Sequence, residues 1–133
     1  MAQSAGLHEP EGKLSPDTID RHRALTSIQE ELEAVDWYAQ RVDATSDPEL
    51  AAVLAHNRDE EKEHAAMTLE WLRRRDSALD GHLRTYLFTS GSIVGLETET
   101  EAESRDDGDG SGSDSSGSLG IGSLKGQSRK GTR

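Results

Sequence analysis

Between Lys13 and Asp80 the chain holds no glycine, and one face of this stretch is apolar at helical spacing. Leu25, Ile28, Leu32, Val35, Ala39 and Val42 follow one another at steps of 3, 4, 3, 4 and 3, a heptad seam. Ser15-Pro16-Asp17 supplies an N-cap, a proline suited to the first helical position and an acid for the positive helix end. Asp47-Pro48-Glu49 repeats that signal after a short turn at Ala44-Thr45-Ser46. A second apolar face then runs through Leu50, Val53, Leu54, Ala65, Thr68, Trp71 and Leu72 to Arg73-Arg74-Arg75, whose charges suit a C-terminal end. The reading is all-α: an antiparallel two-helix hairpin, each arm roughly 40 Å long. A short third helix is expected from Asp80 to Phe88. Two helices cannot cover their own apolar stripes, so a homodimer forming a four-helix bundle is expected.

Composition narrows the possibilities. The chain has 133 residues, with 32% hydrophobic and 31% charged residues, which fits one small domain plus polar segments. The absence of cysteine excludes disulfide staples, thiolate zinc sites and thiol catalysis. A net charge of −11 argues against nucleic-acid binding. No apolar run approaches the roughly 20 residues of a membrane span. The first stretch, 1–14, has no apolar core and carries acids, so it reads as a flexible segment rather than a secretory signal. A helical domain is expected over 15–95. Ten of the thirteen glycines follow Ser90, and from Glu97 to Ser118 Ala102 is the sole apolar residue among eight acids and one arginine. Residues 96–118 therefore read as a disordered, self-repelling acidic linker. The tail, 119–133, carries Lys125, Arg129, Lys130 and Arg133 and no acid.

Ionisable residues interrupt the apolar face of the second helix. Asn57, Glu61, His64 and Ala65 occupy its inward positions, and Glu61 and His64 share a face at i, i+3. Ionisable groups inside a bundle are costly unless paired or bound to metal. Glu31 sits at the edge of the first seam, beside Ile28, Leu32 and Val35. One glutamate from one helix and a Glu-x-x-His from another make half of a di-iron carboxylate site in a ferritin-like bundle. A two-fold axis supplies the other half. Carboxylates are hard oxygen donors able to bridge two cations, and a neutral imidazole adds one nitrogen while leaving positions open. The competing reading is a solvated face in the charge-rich run Asp59-Glu60-Glu61-Lys62-Glu63-His64. Glu30 and Glu33 read either as solvated acids or as a cation-attracting entrance. Trp37 and Tyr38 read as packing residues, with the Tyr38 hydroxyl in reach of the ligands' outer partners. His22, His56 and His82 have no acid at ligand spacing and are read as structural or interface residues.

These residues resemble a known family, the encapsulated ferritins. Glu30-Glu31-Leu32-Glu33-Ala34-Val35-Asp36-Trp37-Tyr38 is similar to their first-helix signature, His56-Asn57-Arg58-Asp59-Glu60-Glu61-Lys62-Glu63-His64-Ala65 to the second, and His82-Leu83-Arg84-Thr85-Tyr86-Leu87-Phe88-Thr89 to the third. The resemblance covers about residues 8 to 94. It implies hairpins that dimerise, dimers that close into an annular decamer, and a di-iron ferroxidase centre across the dimer interface. Its ligands would be Glu31, Glu61 and His64 from each of two chains, with iron as the metal. Glu30 and Glu33 would mark the iron entrance, with Trp37 nearby.

Gly117-Ser118-Leu119-Gly120-Ile121-Gly122-Ser123-Leu124-Lys125 resembles the cargo-loading peptide of encapsulin nanocompartments, at about 117–126. Leu119, Ile121 and Leu124 are three apolar anchors spaced by Gly and Ser, suited to docking in extended form in a groove of the shell protein. The combined resemblance implies a ferroxidase feeding iron storage inside an encapsulin shell in a bacterial cytoplasm, with no nucleic-acid or membrane partner. The alternatives are a redox-silent metal-binding module and a purely structural dimerisation hairpin.

Overall fold

The computed structural model describes residues 6–106. They are all-helical, without a strand among the described residues. A single 3-10 turn, Glu11–Lys13, precedes helix α1, Pro16–Ala44; α2 spans Pro48–Arg73, α3 Ser77–Tyr86 and α4 Ile93–Asp106. The chain divides into two units after Gly91, whose φ of 92° lies where glycine is at ease and other residues are not.

The first unit is the expected hairpin. Ser15 caps α1, its side chain accepting from the Thr18 amide at 3.1 Å. Asp47 caps α2 by accepting from the Glu49 and Leu50 amides at 2.9 and 3.2 Å. Both helices open on proline. Thr45, Ser46 and Asp47 make the connection, one residue later than the turn expected at Ala44-Thr45-Ser46. That short link sets α1 and α2 side by side and antiparallel.

The core is small. Ala24, Ala65 and Leu72 are the buried hydrophobic residues, with Leu72 the deepest at 3% exposure. Leu25 and Leu32 of α1 and Leu50 and Val53 of α2 remain about half exposed. Of the seam read from the heptad pattern, Leu25 and Leu32 thus face outward, while Ile28, Val35, Ala39 and Val42 are half-buried.

Three elements differ from the sequence reading. Helix α3 starts three residues earlier than expected, because Asp76 caps it by accepting from the Leu79 amide at 3.0 Å. It also ends earlier: Leu87 turns to extended backbone and Phe88 to a left-handed φ of 59°. Within the N-terminal segment expected to be flexible, the Lys13 and Leu14 amides close a turn on Pro10 and Glu11 at 2.9 and 3.0 Å. The expected linker is helical over its first part, to Asp106. Its lack of apolar residues argues against burial and not against a local helix. Ser92 caps α4 by accepting from the Gly95 amide at 3.1 Å, no Gly or Pro follows until Gly108, and glutamate is a good helix former. The remainder of the linker and the tail with Leu119, Ile121 and Leu124 lie outside the described residues.

Candidate metal centre

Glu31, Glu61 and His64 converge. One oxygen from each carboxylate and one ring nitrogen all lie within 4.8 Å of one another. Glu61 and His64 are adjacent on α2 by their i, i+3 spacing, with His64 Nδ1 3.4 Å from Glu61 Oε2. The hairpin brings in Glu31 from α1, its Oε2 3.8 Å from His64 Nδ1. The glutamates are partly buried and His64 is exposed, so the cluster opens on one side. It lies on the apolar side of the hairpin, close to exposed Leu32.

The electrostatics of this cluster are set by its two facing carboxylates. Glu31 shares a hydrogen bond with Glu61, which holds the Glu31 carboxyl above the usual range, assisted by burial and by the Glu61 charge. The same bond, with a smaller contribution from His64, holds Glu61 below it. Two carboxylates this close make it costly for both to be charged at once, a cost that a bound cation would relieve. The donor set of two hard oxygens and one imidazole nitrogen fits iron(II), and it equally suits other divalent first-row ions.

The remaining sequence candidates fall into separate environments. Glu30 is exposed and Glu33 half-buried on the adjoining surface of α1. Trp37 is half exposed beside Gln40 and Arg41. Tyr38 is half-buried, and its ring lies 5.5 Å beneath the Arg41 guanidinium. His56 does have an acid partner: its Nε2 lies 3.0 Å from Glu60 Oε1, on the exposed surface of α2. The i, i+4 spacing of His56 and Glu60 thus corrects the expectation that His56 has no acid partner.

A second polar cluster was not foreseen. Arg73, at the end of α2, bonds both Glu70 and Asp80, and Asp80 also takes the Arg84 Nε through both oxygens at 3.0 Å. Arg73 holds Glu70 and Asp80 below their ordinary ranges, Arg84 adding to the effect on Asp80. The arginine run, expected only to end α2, also joins α2 to α3 through Arg73. The signal that locates Asp80 opposite Arg73 is the Asp76 cap, which fixes where α3 begins.

Comparison with known proteins agrees with this picture. Residues 6–90 match the EncFtn-like family. The chain is 61% identical to an "Encapsulated ferritin-like protein" of Rhodospirillum rubrum, over 96% of this chain and 94% of that one. It is 33% identical to the "Encapsulin nanocompartment cargo protein EncC" of Myxococcus xanthus, over 69% of this chain and 75% of that one. The crystal structure of protein ne0167 from Nitrosomonas europaea superposes with a TM-score of 0.65 at 62% identity, over 66% of this chain and 97% of that one. With a family match over residues 6–90, a matching fold and a relative along nearly the whole chain, this protein belongs to the EncFtn-like family, that of the encapsulated ferritins its motifs resemble.

Proposed function

We propose that this chain is a ferroxidase: it oxidises iron(II) to iron(III) with dioxygen at a di-iron site made from Glu31, Glu61 and His64 of two copies, as cargo of an encapsulin shell. The observation that carries the reading is the convergence of these three side chains from two helices beside an apolar face that no part of the hairpin covers. A two-fold axis at that face doubles the donor set to four carboxylates and two imidazoles. Dimers then build the annular decamer. Iron(II) is the substrate, and each ion gives one electron to dioxygen.

The chain's own residues have definite tasks. The Glu31 and Glu61 carboxylates bind the entering cations, which displace the proton from that fraction of Glu31 that carries one. His64 contributes one ring nitrogen, with the other tautomer position left to solvent. Leu32 and its neighbours, once covered by the second copy, exclude bulk water from one side. Glu30 and Glu33 form an acidic approach, and Tyr38 and Trp37 flank it. The cargo role is supported by relatives named as encapsulated ferritin-like and as encapsulin cargo. Leu119, Ile121 and Leu124 are the shell-docking anchors.

Oxygen consumption and ferric absorbance after adding anaerobic iron(II) to the full chain test the reading. Rapid uptake by the wild type and its loss in Glu61→Ala are expected. Metal binding without oxygen uptake would make the chain a redox-silent binder, and no binding would make it a structural hairpin.

A further inference from the structure

Apart from Met1, the chain holds a single sulfur atom, in the thioether of Met67. It has no cysteine, so Met67 is the sulfur that an oxidant finds in the helical domain. Its place is specific. Met67 follows His64 on α2 at i, i+3, a spacing that puts Cβ atoms about 5–6 Å apart. Long side chains on a helix lean back over the preceding turn, which sets the thioether over the turn that carries Glu63 and His64. Met67 shares an open cleft with Glu63, Glu70 and Trp71. It is 59% exposed and takes no part in the buried core of Ala24, Ala65 and Leu72.

We propose that Met67 is an oxidant trap for the metal centre: it takes up, as a sulfoxide, the oxidising equivalents released when iron(II) in the Glu31, Glu61 and His64 cluster meets peroxide. The proposal rests on the reading that iron(II) occupies this cluster. Peroxide is the product of two-electron reduction of dioxygen. Iron(II) passes one electron to it, and the O–O bond breaks into hydroxide and a hydroxyl radical. The radical adds to the Met67 sulfur. Iron(III) takes the second electron from that adduct, an S=O bond remains, and the proton released joins the hydroxide as water. Sulfur has lost two electrons, peroxide has gained them, and iron ends as iron(II).

The position suits the task. A sulfoxide turns an apolar side chain polar and disrupts a core, but at Met67 the new oxygen meets water and α2 keeps its packing. The lesion is also reducible, so the trap can be reset. What it spares is Trp71. His64 and Trp71 are seven residues apart and share a face of α2, and Met67 sits between them along the helix. The Trp71 ring supports the Arg75 guanidinium at 4.0 Å, and the Arg75 carbonyl accepts from Arg21 of α1 at 3.4 Å. Oxidation of Trp71 would therefore act on the end of the hairpin, whereas oxidation of Met67 does not.

The test is peptide mass spectrometry of the full chain after anaerobic iron(II) and limiting hydrogen peroxide, with N-acetylmethionine present at the same concentration as the chain. A side chain fixed beside the source has a local concentration above the millimolar range of a short flexible tether, so Met67 should be oxidised at least about tenfold faster than the free methionine. The preference should vanish in Glu61→Ala and when peroxide is given without iron. Met67→Leu conserves volume and keeps a good helix former; its circular dichroism should match wild type while oxidised Trp71 increases. Oxidation of Met67 no faster than that of N-acetylmethionine, a preference that persists without iron or in Glu61→Ala, or unchanged Trp71 in Met67→Leu overturns the proposal. Oxygen uptake after iron(II) alone is measured on the same preparation. Met67 preference without oxygen uptake overturns the ferroxidase reading and leaves the trap standing, and oxygen uptake without the preference overturns the trap alone.

Discussion

Glu31 on α1 and His64 on α2 stand 3.8 Å apart, a close approach of two ionisable side chains across the two long helices. The two helices therefore approach each other at the same point where the candidate metal cluster is gathered. A change there acts on metal chemistry first and on packing second, since both side chains lie at the edge of the small core and not within it.

Glu31→Ala should lower iron(II) oxidation at least about a hundredfold, more than the tenfold to hundredfold that loss of a ligand's outer partner costs. The metal-free variant should melt no lower than wild type, because it removes one of two facing carboxylates. Stopped-flow ferric absorbance and circular dichroism at matched protein concentration read the two effects.

Metal uptake should release protons. The Glu31 carboxyl is held above its ordinary range, so at pH values below that raised position it is protonated and competes with a cation. Affinity for cobalt(II), used as a stable stand-in, should rise with pH through that region and level off above it. Glu31→Gln should flatten the dependence in a titration monitored by a pH indicator.

The tie between α2 and α3 should loosen in acid. Glu70 and Asp80 are held below their ordinary ranges by Arg73. Their contribution is fully present above the usual carboxylate range and is lost as pH falls through the depressed values. Amide hydrogen exchange, corrected for its intrinsic pH dependence, should show Ser77–Tyr86 losing protection before Pro16–Ala44. Asp80→Asn should bring that loss to neutral pH.

Asp47→Ala removes both capping bonds of α2 and should cost about 1 kcal/mol in urea denaturation at fixed chain concentration.

Truncation after Ser118 should leave oxidation unchanged and abolish loading into co-expressed shells. Ile121→Asp with Leu124→Asp should weaken a single-peptide contact by about two to four orders of magnitude, with avidity hiding part of it.

The long helices and the convergence of Glu31, Glu61 and His64 were legible because each rests on a local rule. Ser15 and Asp47 cap, Pro16 and Pro48 begin, and i, i+3 spacing puts Glu61 beside His64. Glu31 was reached through its place on the seam. What local rules do not reach is the geometry around Asp76. A cap there moves α3 by three residues, which brings Asp80 to Arg73 and leaves Phe88 beyond the helix end. The helical start of the acidic segment was missed for another reason: low hydrophobicity rules out a buried core and is silent on backbone bonds within one helix.

A hairpin whose buried hydrophobic interior is Ala24, Ala65 and Leu72 has a kinetic consequence. Its contacts are local, closed by a three-residue turn, so the arms meet quickly. Little apolar area is gained when they do, and half-exposed Leu25, Leu32, Leu50 and Val53 are left outside that gain. On the dimer proposed above, the step that covers them is second order, and its yield rises with chain concentration.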